Sequence, residues 1–383
     1  VGAAAGDAFT DADFNAAFGV AALSADTLGS RSTALGFQAL GSQNFTTATD
    51  VYNTAVGFNA GVSVTTGVEN TLIGGLAGDA LTTGYQNVAM GFESLTADTK
   101  GVANVAIGVS ALKNQNHTTI TSTYNTAVGY VAGRDTTTGI RNTFVGALAA
   151  YDGANGNDNT IVGYDAGEKN TGSSNTIMGS SAATSLSSGT DNVVVGQSAG
   201  THSVAMTSGQ YNVLVGAKTR NTAADGDNAN GFGYNIAAVS GYTTLGNADD
   251  DIRAAHGNTT WSTVSDERYK KDIEDSSLGL SFINALRPRT FNYKTKGELP
   301  DSFTAYEEDS TQVFKSSEKQ HGFIAQEVKA AIDSAGSDVA SGFKLWDERP
   351  DGSQEVGEAA LIPMLVKAIQ ELSAEIETLK SGG

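Results

Sequence analysis

One five-residue pattern, Asn-x-apolar-apolar-Gly, recurs through the first two thirds of the chain. The ten clear copies begin at Asn53, Asn70, Asn87, Asn104, Asn125, Asn142, Asn159, Asn175, Asn192 and Asn212. Successive copies start at a nearly constant spacing, and only the steps from Asn104 to Asn125 and from Asn192 to Asn212 are clearly longer. Degenerate copies at 15–19 and 32–36 extend the array toward the N-terminus. A nearly fixed period of about 17 residues indicates a solenoid, in which each unit stacks on the next.

Each unit is interpreted as one coil of a parallel β-solenoid or β-roll. The apolar pair predicts a strand, and a second short segment, such as residues 58–61, predicts another. We expect two strands of about five residues per unit, with the apolar pair buried against the next coil. Such a coil is thin, so symmetry-related copies are expected to complete its core.

The regular asparagines are interpreted as corner residues that hydrogen-bond the backbone and stack in ladders. The two longer steps imply small surface insertions, which we place after residues 91–113 and after residues 196–208. Excursions on a solenoid collect on an exposed face, so receptor contact is expected there.

Composition excludes several functions. The formal net charge of -19 argues against a nucleic-acid partner, because neutralising phosphates needs a basic face. No apolar run approaches the roughly 20 residues of a membrane span, so membrane insertion is not expected. The four histidines lack metal-ligand spacing and no glycine-rich loop is laid out for a nucleotide, so we expect neither a metal nor another cofactor.

A change in composition near residue 257 marks a second region, which holds all four prolines. Apolar residues at Leu278, Phe282, Ile283 and Leu286 predict a helix that Pro288 ends. We divide the chain into degenerate repeats at 1–50, a β-roll at 51–246, a junction at 247–264, and a C-terminal module at 265–383 with a coiled coil at 359–380.

The coiled coil is predicted from apolar residues at alternate steps of three and four, at Ile362, Leu365, Ile369, Leu372, Ile376 and Leu379. Isoleucine at a and leucine at d is the pattern that favours parallel dimers. We nevertheless expect a trimer, because the seam is short and the rest of the chain should decide the oligomeric state.

Two resemblances follow from these motifs. The module carries Ser-Asp-x-Arg-x-Lys-x-x-Ile at 265–273, Leu-Arg-Pro-x-x-Phe-x-Tyr at 286–293, Gly-Phe-Ile-Ala-Gln-Glu-Val at 322–328 and Leu-Ile-Pro-Met-Leu-Val-Lys-Ala-Ile-Gln-Glu-Leu at 361–372. It resembles the intramolecular chaperone domain of phage endosialidases, tailspikes and fibres. The repeats resemble the head domain of trimeric autotransporter adhesins, a trimeric parallel β-roll that also occurs in phage fibres.

The chaperone resemblance implies a single-turnover serine endopeptidase that cuts its own chain after the trimer has folded, with no other catalytic activity. Carried over by residue, Ser265 is the nucleophile, Lys270 is the base, and the bond between Val264 and Ser265 is cut, with Asp266 and Arg268 orienting the junction. A lysine acts as a base only when burial or nearby cations favour its neutral form. The residues alone also fit an alternative, an N-terminal cap followed by a solvated lysine pair.

The sequence therefore predicts a mainly β, homotrimeric phage tail fibre or tailspike that folds in the host cytoplasm and acts in the virion. Its expected partners are a host cell-surface receptor, either a glycan or an outer-membrane component, and other virion tail proteins. A chaperone is useful here because three parallel solenoids must find one register. The alternatives are a bacterial trimeric surface adhesin and a glycan-degrading tailspike, which would need paired carboxylates in a groove.

Overall fold

The computed structural model describes residues 2–153, 155–336 and 343–382. The chain forms two compact units, Val1–Ser265 and Asp266–Gly383.

The first unit is a β-solenoid built around one sheet of fifteen short strands. All neighbouring strands are parallel except the last two, which pair antiparallel. In sheet order the strands are Ala16–Phe18, Thr33–Leu35, Thr54–Val56, Thr71–Ile73, Val88–Met90, Val105–Ile107, Thr126–Val128, Thr143–Val145, Thr160–Val162, Thr176–Met178, Val193–Val195, Val213–Val215, Asn230–Tyr234, Tyr242–Asn247 and Asp250–Ala255. The fold class is therefore the predicted one, mainly β with one coil for each copy of the motif, and the degenerate repeats supply the first two strands.

The strand lengths differ from the prediction, because most coils contribute one strand of three residues. Three parallel pairs of two-residue strands form small sheets of their own, outside the main sheet: Gly29–Ser30 with Thr49–Asp50, Gly101–Val102 with Thr121–Ser122, and Arg220–Asn221 with Ala237–Ala238. Left-handed backbone limits the strands on both sides. Tyr52 precedes one motif with φ 56°, and Gly57 ends it with φ 140°. The second predicted strand is instead a turn through Asn59 and Gly61, which also have positive φ.

Stacked glycines allow the coils to approach closely. A Cβ on Gly57 would lie 2.4 Å from the carbonyl oxygen of Gly74, and a Cβ on Gly74 would lie 2.5 Å from that of Gly91. Glycine is therefore required at this position for two reasons: the backbone has a positive φ, and the neighbouring coil leaves no room for a Cβ.

A ladder of buried asparagines fixes the opposite end of each strand. The Oδ1 atom of Asn53 accepts a hydrogen bond from the backbone nitrogen of Asn70 at 2.8 Å, and its Nδ2 donates to the carbonyl of Gly67 at 2.7 Å. The same arrangement recurs in the following coils, for example at Asn142, whose Nδ2 donates to Gly156. The prediction of backbone-bonding corner residues in ladders is confirmed.

The two apolar residues of each motif face opposite sides of the sheet, as successive strand residues must. The first faces the interior: Ala55, Leu72, Ala89, Ala106, Ala127, Phe144, Ile161, Ile177, Val194 and Leu214 are fully buried. The second stays on the outside of the coil. The expectation that both are buried was wrong, and so was the expectation that other copies complete the core, because one chain already closes its own interior.

The second unit is a small α/β module. In the part of this unit that the structure describes, the helices are Leu280–Ala285, Ala325–Ala335 and Ile362–Ser381, with 3-10 turns at Glu267–Tyr269, Lys296–Glu298 and Glu358–Leu361. The unit also contains two antiparallel strand pairs, Arg289–Phe291 with Gln320–Gly322 and Trp346–Glu348 with Gln354–Val356. A separate core brings together Leu278, Phe282, Val328, Ala331, Ile332, Leu345 and Leu361. The helix predicted from 278 onward begins at Leu280. A helix, Ile362–Ser381, lies where the coiled coil was predicted, and its pairing with other copies stays a prediction.

Candidate functional site

The segment that joins the last solenoid strand to the second unit holds the predicted cleavage site. Between residues 256 and 277 every residue is exposed except Asp266, which is half-buried. Val264 keeps 55% of its surface exposed. The bond between Val264 and Ser265 lies in chain without regular secondary structure, next to the point at which the two units divide.

Ser265 and Lys270 lie on the two sides of the 3-10 turn Glu267–Tyr269. Lys270 ends the turn, and its backbone nitrogen donates to the carbonyl of Glu267 at 2.9 Å. Both residues are exposed in the single chain. A lysine base needs desolvation or adjacent positive charge, and one chain alone leaves Lys270 in contact with solvent.

Asp266 and Arg268 hold this turn together. The Asp266 carboxylate accepts hydrogen bonds from the backbone nitrogen of Arg268 at 2.9 Å, from its Nε at 3.0 Å and from its Nη2 at 2.6 Å. These bonds lower the pKa of Asp266 below its ordinary value. The alternative interpretation took Ser265 as an N-terminal cap, whereas in the structure Asp266 caps the turn and Ser265 precedes the cap.

On the other side, hydrogen bonds tie the chain just before Val264 to a solenoid strand. Arg253 and Ser262 exchange backbone hydrogen bonds of 2.8 Å in both directions. The hydroxyl of Thr263 donates to the carbonyl of Asp251 at 3.1 Å. The predicted scissile bond therefore lies between Thr263, which is bound to the solenoid, and Asp266, which is bound within the second unit.

Acidic residues of two sequence motifs join distant parts of the second unit: Glu327 links its motif to the one at 286–293, and Glu371 links the motif at 361–372 to the first helix. The Glu327 carboxylate accepts a hydrogen bond from Nε of Arg289 at 2.9 Å. Its Oε1 lies 3.6 Å from Nη1 of Arg287. The bond with Arg289 holds the pKa of Glu327 below its ordinary value. Glu371, from the fourth motif, accepts a hydrogen bond from the backbone nitrogen of Leu280 at 2.7 Å. The motifs contain Arg287, Arg289, Glu327 and Glu371 but not Leu280, and spacing alone did not pair any of them.

The comparison with protein families decides what this unit resembles. Residues 265–337 match the family described as the chaperone of endosialidase. The comparisons found no similar curated protein and no similar solved structure. The family match begins at Ser265, the first residue of the first motif. Together with the β-solenoid it fits a tail fibre or tailspike-like protein with a C-terminal chaperone domain. The matched family is classed as a peptidase family, which implies a self-cleaving, peptidase-type activity.

The C-terminal helix that follows the chaperone match has two different faces. Met364, Ala368 and Glu371 lie on the face directed toward the unit's own core or the helix Leu280–Ala285. The predicted seam lies on another face and is 41% to 77% exposed: Ile362, Leu365, Ile369, Leu372, Ile376 and Leu379. An exposed apolar seam of this kind is typical of a coiled-coil partner surface.

A second exposed apolar surface runs along the solenoid, and we call it the outer apolar row. It contains the third residue of each motif strand, in parallel register: Phe18, Leu35, Val56, Ile73, Met90, Ile107, Val128, Val145, Val162, Met178, Val195, Val215 and Phe232. All are half-buried or exposed, and Phe18 is 60% exposed. Strand spacing of about 4.8 Å makes the row roughly 60 Å long.

Two of the surface insertions are anchored by buried aspartates. In the longer step from Asn104 to Asn125 the extra residues lie near 116–122, where Asp98 accepts from Gln115 Nε2 at 2.6 Å and from His117 N at 3.0 Å. The same arrangement occurs earlier in the chain, at Asp26, Gln43 and Phe45. Sequence reasoning missed this first insertion, near 44–50, because the copy before it begins with Ser32 instead of the motif asparagine. The pattern Gln-Asn-x-Thr-Thr-x-Thr, which both insertions share, could have revealed it.

No group of three or more His, Cys, Asp or Glu is placed to hold a metal ion within residues 2–153, 155–336 and 343–382. Among the helices of the described chain, none has the length and apolar content needed to cross a membrane.

Proposed function

We propose that this chain is a structural tail fibre or tailspike protein of a phage, which attaches the virion to the host surface. In this proposal three copies assemble through the C-terminal chaperone, which then cuts itself off between Val264 and Ser265. The carrying observation is the chaperone family match, which begins at Ser265, one residue from the division between the two units.

The position of the bond supports removal of a complete module. The last solenoid strand, Asp250–Ala255, and its contacts through Thr263 stay on one side of the cut. The core of Leu278, Phe282 and Val328 stays on the other side. Cleavage before Ser265 would separate two folded units with little loss of structure in either.

The two exposed apolar surfaces support assembly of several copies. A standard interface buries about 800 Å² per partner, and a row of thirteen residues roughly 60 Å long is large enough to supply it. The seam of the C-terminal helix is short. It would hold three chain ends together and raise the effective concentration at which the solenoids meet.

In the trimer, Lys270 would lose solvent against a neighbouring copy and take the proton of the Ser265 hydroxyl. This would explain why cleavage follows assembly. The receptor, either a glycan or an outer-membrane component, is expected to contact the two predicted insertions, near 116–122 and within the step from Asn192 to Asn212, and the further insertion near 44–50. Other tail proteins of the virion are the remaining partners. The chain would fold in the host cytoplasm.

The test is denaturing electrophoresis with mass spectrometry on the expressed full chain. Wild type should yield residues 1–264 and 265–383, whereas Ser265→Ala and Lys270→Ala should stay whole. Lys271→Ala is the matched control, since it removes a neighbouring exposed lysine and should still be cut. Cleavage of Ser265→Ala at the wild-type rate would refute the proposal.

A further inference from the structure

The C-terminal end of the solenoid carries an open pocket. After the last strand the chain turns back at Gly257, which has φ 82°, and the backbone nitrogen of Asn258 donates to the carbonyl of Ala255 at 3.0 Å. The returning segment is fixed to the strand again where Arg253 and Ser262 exchange backbone hydrogen bonds. The strand, the turn and the returning segment border a pocket of about 320 Å³.

Trp261 supplies an aromatic wall of this pocket. It is 47% exposed, so part of its indole stays in contact with solvent. A half-exposed tryptophan offers a ligand a large flat apolar surface with one polar N–H group at its edge. The indole can therefore pack against a ring that has an apolar face.

Two polar side chains that line the pocket are held in place by hydrogen bonds. The Oδ1 atom of Asn258 accepts from the backbone nitrogen of Thr260 at 2.9 Å and from its hydroxyl at 2.7 Å. The Nε2 atom of His256 lies 3.3 Å from Nδ2 of Asn230 and 3.3 Å from Oγ1 of Thr243. Polar groups that are ordered before a ligand arrives lose little conformational freedom when they bind it.

The charge and the size of the pocket narrow the chemistry of its ligand. All of the lining residues lie in the described chain, and none is an aspartate, glutamate, lysine or arginine. A charged ligand would lose water there without gaining an ion pair, which is costly. Ligand pockets measure roughly 300–1,000 Å³, so this one suits a single ring. An uncharged sugar ring has the matching properties, an apolar C–H face and an edge of hydroxyl groups.

We propose that this pocket binds an uncharged pyranose sugar, with one face of the ring against Trp261 and with its hydroxyls bonded to Asn258 and His256. The pocket is separate from the surface insertions, and the proposed cut would leave it on the solenoid. Its use in host attachment rests on the proposed function, whereas sugar binding itself does not.

The first test is saturation-transfer NMR on the purified full chain. The probes are D-glucose, D-galactose, D-mannose, N-acetyl-D-glucosamine and L-rhamnose, and at least one of them should receive saturation. D-glucuronate and D-galacturonate are the matched charged controls, and neither should receive it. Transfer to none of the uncharged sugars would overturn the inference, and so would equal transfer to the uronates. Neither result would alter the cleavage pattern on the denaturing gel, so failure of the pocket is distinguishable from failure of the proposed function.

The second test places the sugar with the two tryptophans of the chain, Trp261 and Trp346. Trp346→Phe leaves Trp261 as the only tryptophan, and the bound sugar should shift its fluorescence emission. Trp261→Ala should weaken binding at least about tenfold, and because Trp261 is half exposed this variant should keep the thermal unfolding of wild type. Undiminished binding by Trp261→Ala, or unchanged emission of Trp346→Phe at saturating sugar, would overturn the inference.

Discussion

The carboxylate of Glu371 accepts a hydrogen bond at 2.7 Å from the backbone nitrogen of Leu280, which begins a helix 91 residues earlier in the chain. The residue before that helix is Gly279, which has no side chain to cap it. Glu371 therefore satisfies a helix N-terminus from a distant part of the sequence and joins the C-terminal helix to the first helix of the unit.

Removing this cap should destabilise the second unit. We expect Glu371→Ala to lower its free energy of unfolding by about 1 kcal/mol, the usual cost of a lost N-terminal cap. Chemical denaturation of the full chain measures it. Glu375→Ala is the matched control, since Glu375 is exposed on the same helix and should change little. Equal losses in both variants would argue against capping.

The ion pair of Glu327 with Arg289 should make the second unit sensitive to acid. Arg289 holds the pKa of Glu327 below 4.5. A depressed pKa stabilises the fold above the unfolded value, and that contribution is lost as the pH falls through the folded value. Unfolding temperatures measured against pH should therefore separate Glu327→Gln from wild type near neutrality and converge as the pH falls through the lowered pKa of Glu327. A constant difference across the pH range would contradict this.

The motif glycine should tolerate no side chain, whereas the glycine beside it should. Gly74 has φ 136° and a Cβ there would lie 2.5 Å from the Gly91 carbonyl oxygen. A Cβ on Gly75 would meet only the Phe92 ring, at 3.5 Å. We expect Gly74→Ala to abolish soluble expression or cost more than about 3 kcal/mol, and Gly75→Ala to fold normally. Thermal unfolding of the two variants side by side checks this, and equal stability would contradict the stacking.

Sequence reasoning recovered the period of the coils, because the Asn and Gly positions repeat wherever the coil turns. It overestimated strand length, since the left-handed residues before each asparagine, such as Tyr52 and Glu69, share no side-chain type. It also predicted that Val56 is buried together with Ala55, although adjacent strand residues face opposite sides of a sheet. The bond between Glu371 and Leu280 could not be predicted, because nothing in local spacing joins residues so far apart. The roles of Ser265 and Lys270 stay predictions.

Charge on the outer apolar row should prevent assembly without unfolding the coil. Val145 is 36% exposed in the single chain, so Val145→Glu leaves its carboxylate in water until copies meet. Burying that carboxylate in an interface is costly. We expect Val145→Glu to sediment as a smaller species than wild type, and Thr138→Glu, an exposed control nearby, to sediment as wild type does. Unchanged assembly of the Val145 variant would place the interface elsewhere.

Native mass spectrometry of the purified product tests the whole account most directly, because one spectrum reports both copy number and chain ends. The predicted result is an assembly of three chains that each end at Val264, with residues 265–383 as a separate species. A stable single chain that spans all 383 residues would contradict both the trimer and the self-cleavage.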